Sequence, residues 1–331
     1  LAALAVASVT SLVHATSLGG DFVYDDHRFI ELNESLRSVP LVAAFTDPET
    51  ASHTDGITAD IYRPLRTLLF SLQYQVFASE RPDGTVDFNL PWWHLISVLL
   101  HALNAVLVLH LLMRLLRGAV LPAALGALVF ALHPLTSESV AWLSSQGDLL
   151  ALTLLLAGLI VMERPGIGRT IGGTGLFLLA CLAKESALML PLLLPLRDVA
   201  LPREDFDAPT PWLRTTWIRV GVLAGVASLY FALRTAVLPG LAQVGHVDGS
   251  VFATARAMLH GLGWYMGQLL LPLGFSFDTR IDGPLRWSDP EVWVGLGVLG
   301  TLIAAGVLGL VRRRYLLAFA ALGFLVTLGP V

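Results

Sequence analysis

The chain has 331 residues, 55% of them hydrophobic and only 14% charged, with a formal net charge of −4 and a mean hydropathy of +0.70. Soluble domains carry about 25% charged residues, so the composition excludes an ordinary globular protein and points to an all-α polytopic membrane protein. The single cysteine, Cys181, lies in an apolar run. This excludes a disulfide framework and a thiolate metal site, and no nucleic-acid partner is expected.

In chain order, Leu1–Val13 is apolar and uncharged. At 1.5 Å per residue it reaches only about 20 Å, short of the ~30 Å hydrocarbon core. It is expected to be the outer part of a first span whose start precedes Leu1. A cleavable signal peptide is the alternative, but a basic flank and a clean A-x-A site are both missing. Residues 14–90 then form a long polar loop with twelve Asp or Glu and five Arg. Pro40, Pro48, Pro64 and Pro82 punctuate it. Within it, Val39–Phe45 and Tyr62–Phe77 are predicted helices. In the second, Leu65, Leu68, Leu69, Leu72 and Val76 recur at helical spacing, the pattern of a helix lying in the membrane interface.

Further spans are predicted at Trp92–Leu116, Ala119–Leu132, Leu149–Met162, Ile171–Ala183, Ala187–Leu196, Trp217–Leu238, Val292–Val311 and Tyr315–Leu328. Trp92 and Trp93 are interfacial anchors. With the first segment this makes about nine spans, in one transmembrane domain over residues 1–331 with an incomplete C-terminal end. Ala253–Leu273 is apolar but holds Arg256, His260 and Trp264. Read as an interfacial or re-entrant helix on the outer side, it leaves Arg114/Arg117, Arg164/Arg169, the Arg197–Arg219 connection and Arg312–Arg314 all on the inner side. That is the distribution expected of cytoplasmic loops. The Arg197–Arg219 connection is expected to be solvated. The N-terminus is then inside and the acidic loop outside.

Polar groups near or inside spans are functional candidates by default. They gather on the outer side. Asp25 and Asp26 open the acidic loop between aromatics. His94, His101 and Asn104 lie nearly along one face of the Trp92–Leu116 span. The next outer loop carries His133, Glu138 and Asp148, and the short apolar pair turns at Lys184-Glu185. Each has a bland alternative. His101 and Asn104 suit interhelical hydrogen bonds, His94 suits an interface residue, Glu138 and Asp148 suit solvated charges, and Lys184 with Glu185 suits a local ion pair.

The ordered set Asp25-Asp26, Tyr62-Arg63-Pro64-Leu65, Leu100-His101-Ala102-Leu103-Asn104, His133-Pro134…Glu138…Trp142…Asp148-Leu149-Leu150 and Ala183-Lys184-Glu185-Ser186 resembles the membrane part of the transmembrane-and-tetratricopeptide-repeat O-mannosyltransferases and their bacterial relatives, within the wider GT-C glycosyltransferases. The resemblance covers nearly the whole chain, but no tetratricopeptide repeats are present. It implies a GT-C-like helical bundle. It also implies transfer of a mannose-like sugar from a polyprenyl-phosphate-linked donor to a protein or glycan hydroxyl, with inversion. By position it makes Asp25 the general base with Asp26 in support. Lys184, Arg63 and His133 would bind the donor phosphate, with Arg66 beside Arg63 on the amphipathic helix. Glu138, Asp148, Glu185, His101 and Asn104 would orient substrate. No metal motif is present, although the Asp25/Asp26 pair is a possible seat for a divalent cation. The arginine bias and Ala/Leu/Gly richness suggest a bacterial inner membrane protein with a periplasmic active face. Two other readings are a non-catalytic GT-C-fold subunit and a transporter. A transporter should show inverted repeats or charges deep within several spans, and neither is seen.

Overall fold

A computed structural model of the chain describes residues 1–51, 61–201, 211–238, 250–273 and 285–328. The described residues are almost entirely helical: α1 (Ala2–His14), α2 (Leu41–Thr46), α3 (Pro64–Phe77), α4 (Leu90–Leu115), α5 (Val120–Leu132), α6 (Pro134–Ala141), α7 (Gln146–Val161), α8 (Ile167–Ala183), α9 (Leu190–Ala200), α10 (Pro211–Val237), α11 (Val251–Leu270), α12 (Pro290–Val311) and α13 (Tyr315–Leu328). A two-residue hairpin, β1 (Ser79–Glu80) with β2 (Val86–Asp87), is antiparallel.

Among the described residues, five segments are long and apolar enough to cross a membrane: Ala2–Gly19, Leu90–Leu115, Leu143–Val161, Arg214–Val237 and Pro290–Val311. The pair α5 and α6, bent by 57°, would make a sixth. Nine crossings require α5, α8, α9 and α13 to span as well, at lengths of 11 to 17 residues. Only 11% of the most apolar window of Arg214–Val237 is buried within the protein, so this helix is suited to face lipid rather than a protein core.

The bundle centre is α4, which packs on α1, α5 and α7. Ala123, Ala127 and Ala131 place small side chains at every fourth position of α5, against Val6, Ala105 and Leu109. Small residues at this spacing let helices in a membrane approach closely. At one end of the bundle, arginines cap helix C-termini. Arg197 donates to the carbonyls of Leu159 and Met162, and Arg219 to those of Met162 and Arg164. These satisfy carbonyls left over at the end of α7. The Arg197–Arg219 connection therefore departs from the solvated reading at both ends, because both arginines are buried. Its middle, 202–210, lies outside the described residues.

The α12 turn at Arg313-Arg314 meets the α4 turn at Arg117 in one cleft, so these basic groups share an end. At the opposite end, α11 crosses the start of α12. A Cβ on Gly295 would overlap the Leu259 carbonyl, and one on Gly263 would lie 3.2 Å from the Gly295 nitrogen. Gly295 is only five residues into α12, and Arg256 donates to Leu285 ahead of that helix at 2.6 Å. These contacts place α11 at one end of α12.

The first loop is more than a solvated linker. Phe29, Ile30, Leu36, Phe70, Phe88, Trp93 and Leu143 form its own small core. The predicted interfacial helix appears as α3, with polar residues on its buried side. Arg66, Thr67, Ser71 and Gln73 are buried, while Leu72 and Val76 are exposed. Gln73 donates to Gln146 at 2.7 Å, and Gln146 donates to the Trp93 carbonyl at 2.9 Å. Leu65, Leu68 and Leu69 are half-buried, with Leu65 packed on the bundle core. So α3 buries polar groups while Leu72 and Val76 near its end stand outward, a placement that suits the membrane boundary.

Candidate active site

The site begins in a turn. Asp26 N–H donates to the Val23 carbonyl at 2.9 Å, with Tyr24 between them at φ 49°. That left-handed conformation is uncommon for a bulky residue and reverses the chain within two residues. It sends the two neighbouring carboxylates in opposite directions. Asp26 is fully buried. Its Oδ1 accepts from Ser144 N–H at 2.7 Å and Ser144 Oγ–H at 2.5 Å, and its Oδ2 accepts from Val23 N–H at 3.1 Å. Burial pushes its carboxyl above the ordinary range, against the pull of these donors. Asp25 is exposed and lines a cleft of about 380 Å³ with Asp21, Tyr24, Glu138 and Trp142. The two carboxylates thus do not form an open pair that a shared cation would need. Among the described residues, no group of three His, Cys, Asp or Glu is placed to hold a metal ion.

The far wall of the cleft comes from α6. Pro134 starts this helix, and His133 caps it by accepting from Leu135 N–H at 3.2 Å. Glu138 and Trp142 follow at helical spacing and face Asp25 across the opening. Tyr24 and Trp142 meet edge to face, with ring centroids 6.2 Å apart, so the cleft has an aromatic wall beside its carboxylates. Burial raises the Glu138 carboxyl; the Asp148 charge raises it further, against Lys184.

Behind Glu138 lies a charged layer. Lys184 is ion-paired with Asp148. Arg63 grips Glu185 through one edge of its guanidinium, Nε at 2.9 Å and Nη2 at 2.5 Å, the strong bidentate arrangement. Burial alone would raise the Glu185 carboxyl, but the Arg63 contact outweighs it and holds it at about 2. Arg66 is different. It is 1% exposed, its Nε and one terminal nitrogen have no hydrogen-bond partner among the described residues, and its guanidinium lies over the Phe29 ring at 4.3 Å. Burial, then the neighbouring Arg63 charge, push it down to about 9, while Glu185, Asp148 and Asp25 pull the other way. Its stem packs on Gly147, where a Cβ would lie 3.0 Å from Arg66 Cδ. A buried guanidinium without an anion is costly, and this one sits among the charges around the cleft.

Asp25, Glu138, Asp148, Lys184, Arg63 and Glu185 are therefore brought to one place, whereas sequence alone put them only on one side. Three other candidates go elsewhere. His101 and His14 both approach the Ala131 carbonyl at 2.9 Å. That carbonyl ends α5, just before the α6 break. Asn104 donates to the Leu149 carbonyl at 3.0 Å and accepts from Thr153 at 2.7 Å. Both His101 and Asn104 are buried between helices, which is a packing role in place of substrate orientation. His133 has both ring nitrogens engaged, by Leu135 N–H and at 3.0 Å from the Leu269 carbonyl, and it ties α6 to α11. Asp26 becomes a fastening for the loop instead of a second open carboxylate. Sequence reasoning missed Ser144, because a serine in a loop carries no signal of its partner. It also missed the facing of Tyr24 and Trp142, which lie far apart in the chain.

The Tmtc2 protein O-mannosyl-transferase of Drosophila melanogaster is 31% identical over 294 residues, covering 83% of this chain and 30% of the relative. Tmtc1 of the same organism is 31% identical over 243 residues, covering 71% and 26%. The chain is a homologue of the TMTC protein O-mannosyl-transferases. Human TMTC4 is 32% identical over 171 residues, covering 47% of this chain and 22% of the relative. The chain thus spans less than a third of the length of these TMTC relatives. No family model and no solved structure matches it. The stretch shared with Tmtc2 is long enough to take in most of the helices described above.

Proposed function

We propose that this chain is the catalytic membrane portion of a glycosyltransferase that moves a mannose-like sugar from a polyprenyl-phosphate donor to a protein hydroxyl. The observation that carries the reading is the split pair, with Asp25 open at the cleft and Asp26 buried as its anchor. An acceptor hydroxyl is a poor nucleophile at neutral pH. An ionised carboxylate within hydrogen-bond reach takes its proton as the new bond forms. In this reading Asp25 is that base. The hydroxyl oxygen attacks the anomeric carbon, the bond to the donor phosphate breaks, and a single displacement inverts the centre.

The leaving phosphate gains negative charge, which preorganised donors stabilise. Arg66, buried with two unpartnered nitrogens and within electrostatic reach of Asp25, Asp148 and Glu185, meets the phosphate, and Lys184 exchanges its Asp148 contact for it. Arg63 stays on Glu185 and holds α3 against the Lys184–Ser186 turn. The Tyr24–Trp142 wall and Glu138 line the sugar side. The exposed Leu72 and Val76 of α3 lie where the donor's polyprenyl tail enters the bilayer. The active face is the end opposite the arginine-capped turns, periplasmic if the chain sits in a bacterial inner membrane, and the bundle is of the GT-C type. The test is sugar transfer by purified membranes supplied with labelled polyprenyl-phosphate-mannose, comparing wild type with Asp25→Asn.

A further inference from the structure

The basic end of the bundle holds a second cleft, of about 530 Å³, unrelated to the carboxylate site. Arg117, Arg313 and Arg314 line it together with Leu115, Leu201 and Leu317. Two turns build it, and they are alike. After α4, Gly118 N–H bonds to the Met113 carbonyl at 2.7 Å and Arg117 N–H to that of Arg114 at 3.4 Å. After α12, Arg314 N–H bonds to the Gly309 carbonyl at 2.7 Å and Arg313 N–H to that of Leu310 at 3.2 Å. Both are Schellman endings, whose left-handed position is the usual place for glycine. Here each holds arginine, Arg117 at φ 55° and Arg313 at φ 56°.

Glycine would relieve the conformation at both positions. A positive charge near a helix C-terminus is favourable, but Arg114 and Arg312 supply it at neighbouring positions with ordinary backbone. Holding such loops on one side needs basic residues somewhere in the turn, not at the strained position. Two arginines held in the same unfavourable conformation, at the rim of the same cleft, call for a reason in the cleft. Sparsely populated backbone retained by several independent contacts is a mark of a functional position. The cleft is amphipathic: guanidinium groups at its rim and leucines along its wall.

We infer that this cleft binds the head group of an anionic phospholipid from the leaflet at the basic end. The guanidinium groups take the phosphate diester in charge-assisted hydrogen bonds, and the exposed Leu316 and Leu317 of the same cleft pack the start of the acyl chains. Basic pockets between membrane helices recognise anionic head groups in this way. Bound there, the lipid bridges the α4 turn, the end of α9 and the α12–α13 turn, and fixes the bundle at the end away from the carboxylate cleft.

The test uses the full chain purified in detergent and titrated with dioleoyl-phosphatidylglycerol or dioleoyl-phosphatidylcholine, with adducts counted by native mass spectrometry. The variant is Arg117→Gly with Arg313→Gly, which removes two charges and relieves both backbones. Each arginine near an anionic head group contributes about a fivefold factor, so phosphatidylglycerol affinity should fall roughly twentyfold or more. Phosphatidylcholine binding should not change, and the lipid-free variant should melt at a higher temperature than wild type. Unchanged phosphatidylglycerol binding with the raised Tm would overturn the inference and leave the arginines as costly caps. Equal binding of the two lipids by wild type would overturn it too. So would displacement of phosphatidylglycerol by free glycerol phosphate, which would make this a soluble-phosphate site. Arg314→Gln, outside the strained positions, is the second variant, and it must lower phosphatidylglycerol affinity without a rise in Tm.

Discussion

Asp26 and Ser144 are joined by two hydrogen bonds to one carboxylate oxygen, 2.7 Å from the Ser144 amide and 2.5 Å from its hydroxyl. This contact is where the first loop is fastened to the segment between α6 and α7. It fixes the residue beside the open carboxylate Asp25, and it fixes the cleft wall formed by Trp142 two residues before Ser144.

Ser144→Ala removes the hydroxyl and keeps the amide. A hydrogen bond to a buried charge is worth about 1.5–3 kcal/mol, so Tm should fall. If the fastening also sets Asp25, kcat should drop roughly ten- to a hundredfold, since small misplacements of a reacting group are expensive, and donor KM should hold. A lower Tm with unchanged kcat would restrict the contact to stability.

Arg66→Gln should weaken donor binding more than it weakens the fold. The wild-type side chain is buried with two unpartnered nitrogens, so losing the charge removes a desolvation cost from the empty protein. A charge-assisted hydrogen bond to phosphate is worth about 1.5–3 kcal/mol, which predicts a roughly ten- to hundredfold rise in the donor's Kd. The readout is titration with polyprenyl phosphate, alongside thermal unfolding. A variant that binds polyprenyl phosphate as wild type does would remove Arg66 from the phosphate site.

The Arg63–Glu185 pair predicts an acid limb of stability. Glu185 is held at about 2, below its ordinary 4.5. A depressed carboxyl contributes stability above its unfolded value and loses it as pH falls toward the folded one. Wild-type Tm should therefore decline between pH 4.5 and 2 through this pair. Glu185→Gln should start lower at neutral pH and decline less over that window. Parallel slopes for the two proteins would show that the pair does not govern the acid limb.

Gly295→Ala tests the placement of α11 across the start of α12. A Cβ there would overlap the Leu259 backbone, and neither helix can yield without moving its main chain. Overpacking of this kind costs about 1–3 kcal/mol or more. Gly297→Ala, with open space at its Cβ, is the control. Equal melting of the two variants would mean that α11 does not cross at Gly295.

What sequence revealed here follows the range of each signal. The helices at α3, α4, α7, α10 and α12 were legible because apolar periodicity and run length are local. The split between Asp25 and Asp26 was not, because it depends on a turn at Tyr24 and on a serine more than a hundred positions away. His101 and Asn104 looked like site residues for the same reason that makes them good packing groups: polar side chains inside a membrane bundle need partners, and sequence does not say whether a partner is a substrate or a carbonyl. Arg66 shows the converse case. Its place beside Arg63 on a predicted amphipathic helix was readable, but that the polar face of α3 turns inward was not, since periodicity finds an apolar stripe without saying whether lipid or protein covers it.

The most direct measurement is sugar transfer by the wild type and by Asp25→Asn, in purified membranes given labelled polyprenyl-phosphate-mannose and a protein acceptor. The substitution keeps the size of the side chain at an exposed position and removes only its basicity. Transfer should fall about 10²- to 10⁴-fold, the range that a general base supplies, while donor binding is retained. Transfer by Asp25→Asn at the wild-type rate would contradict the account and move the search for the base to Glu138, across the same cleft.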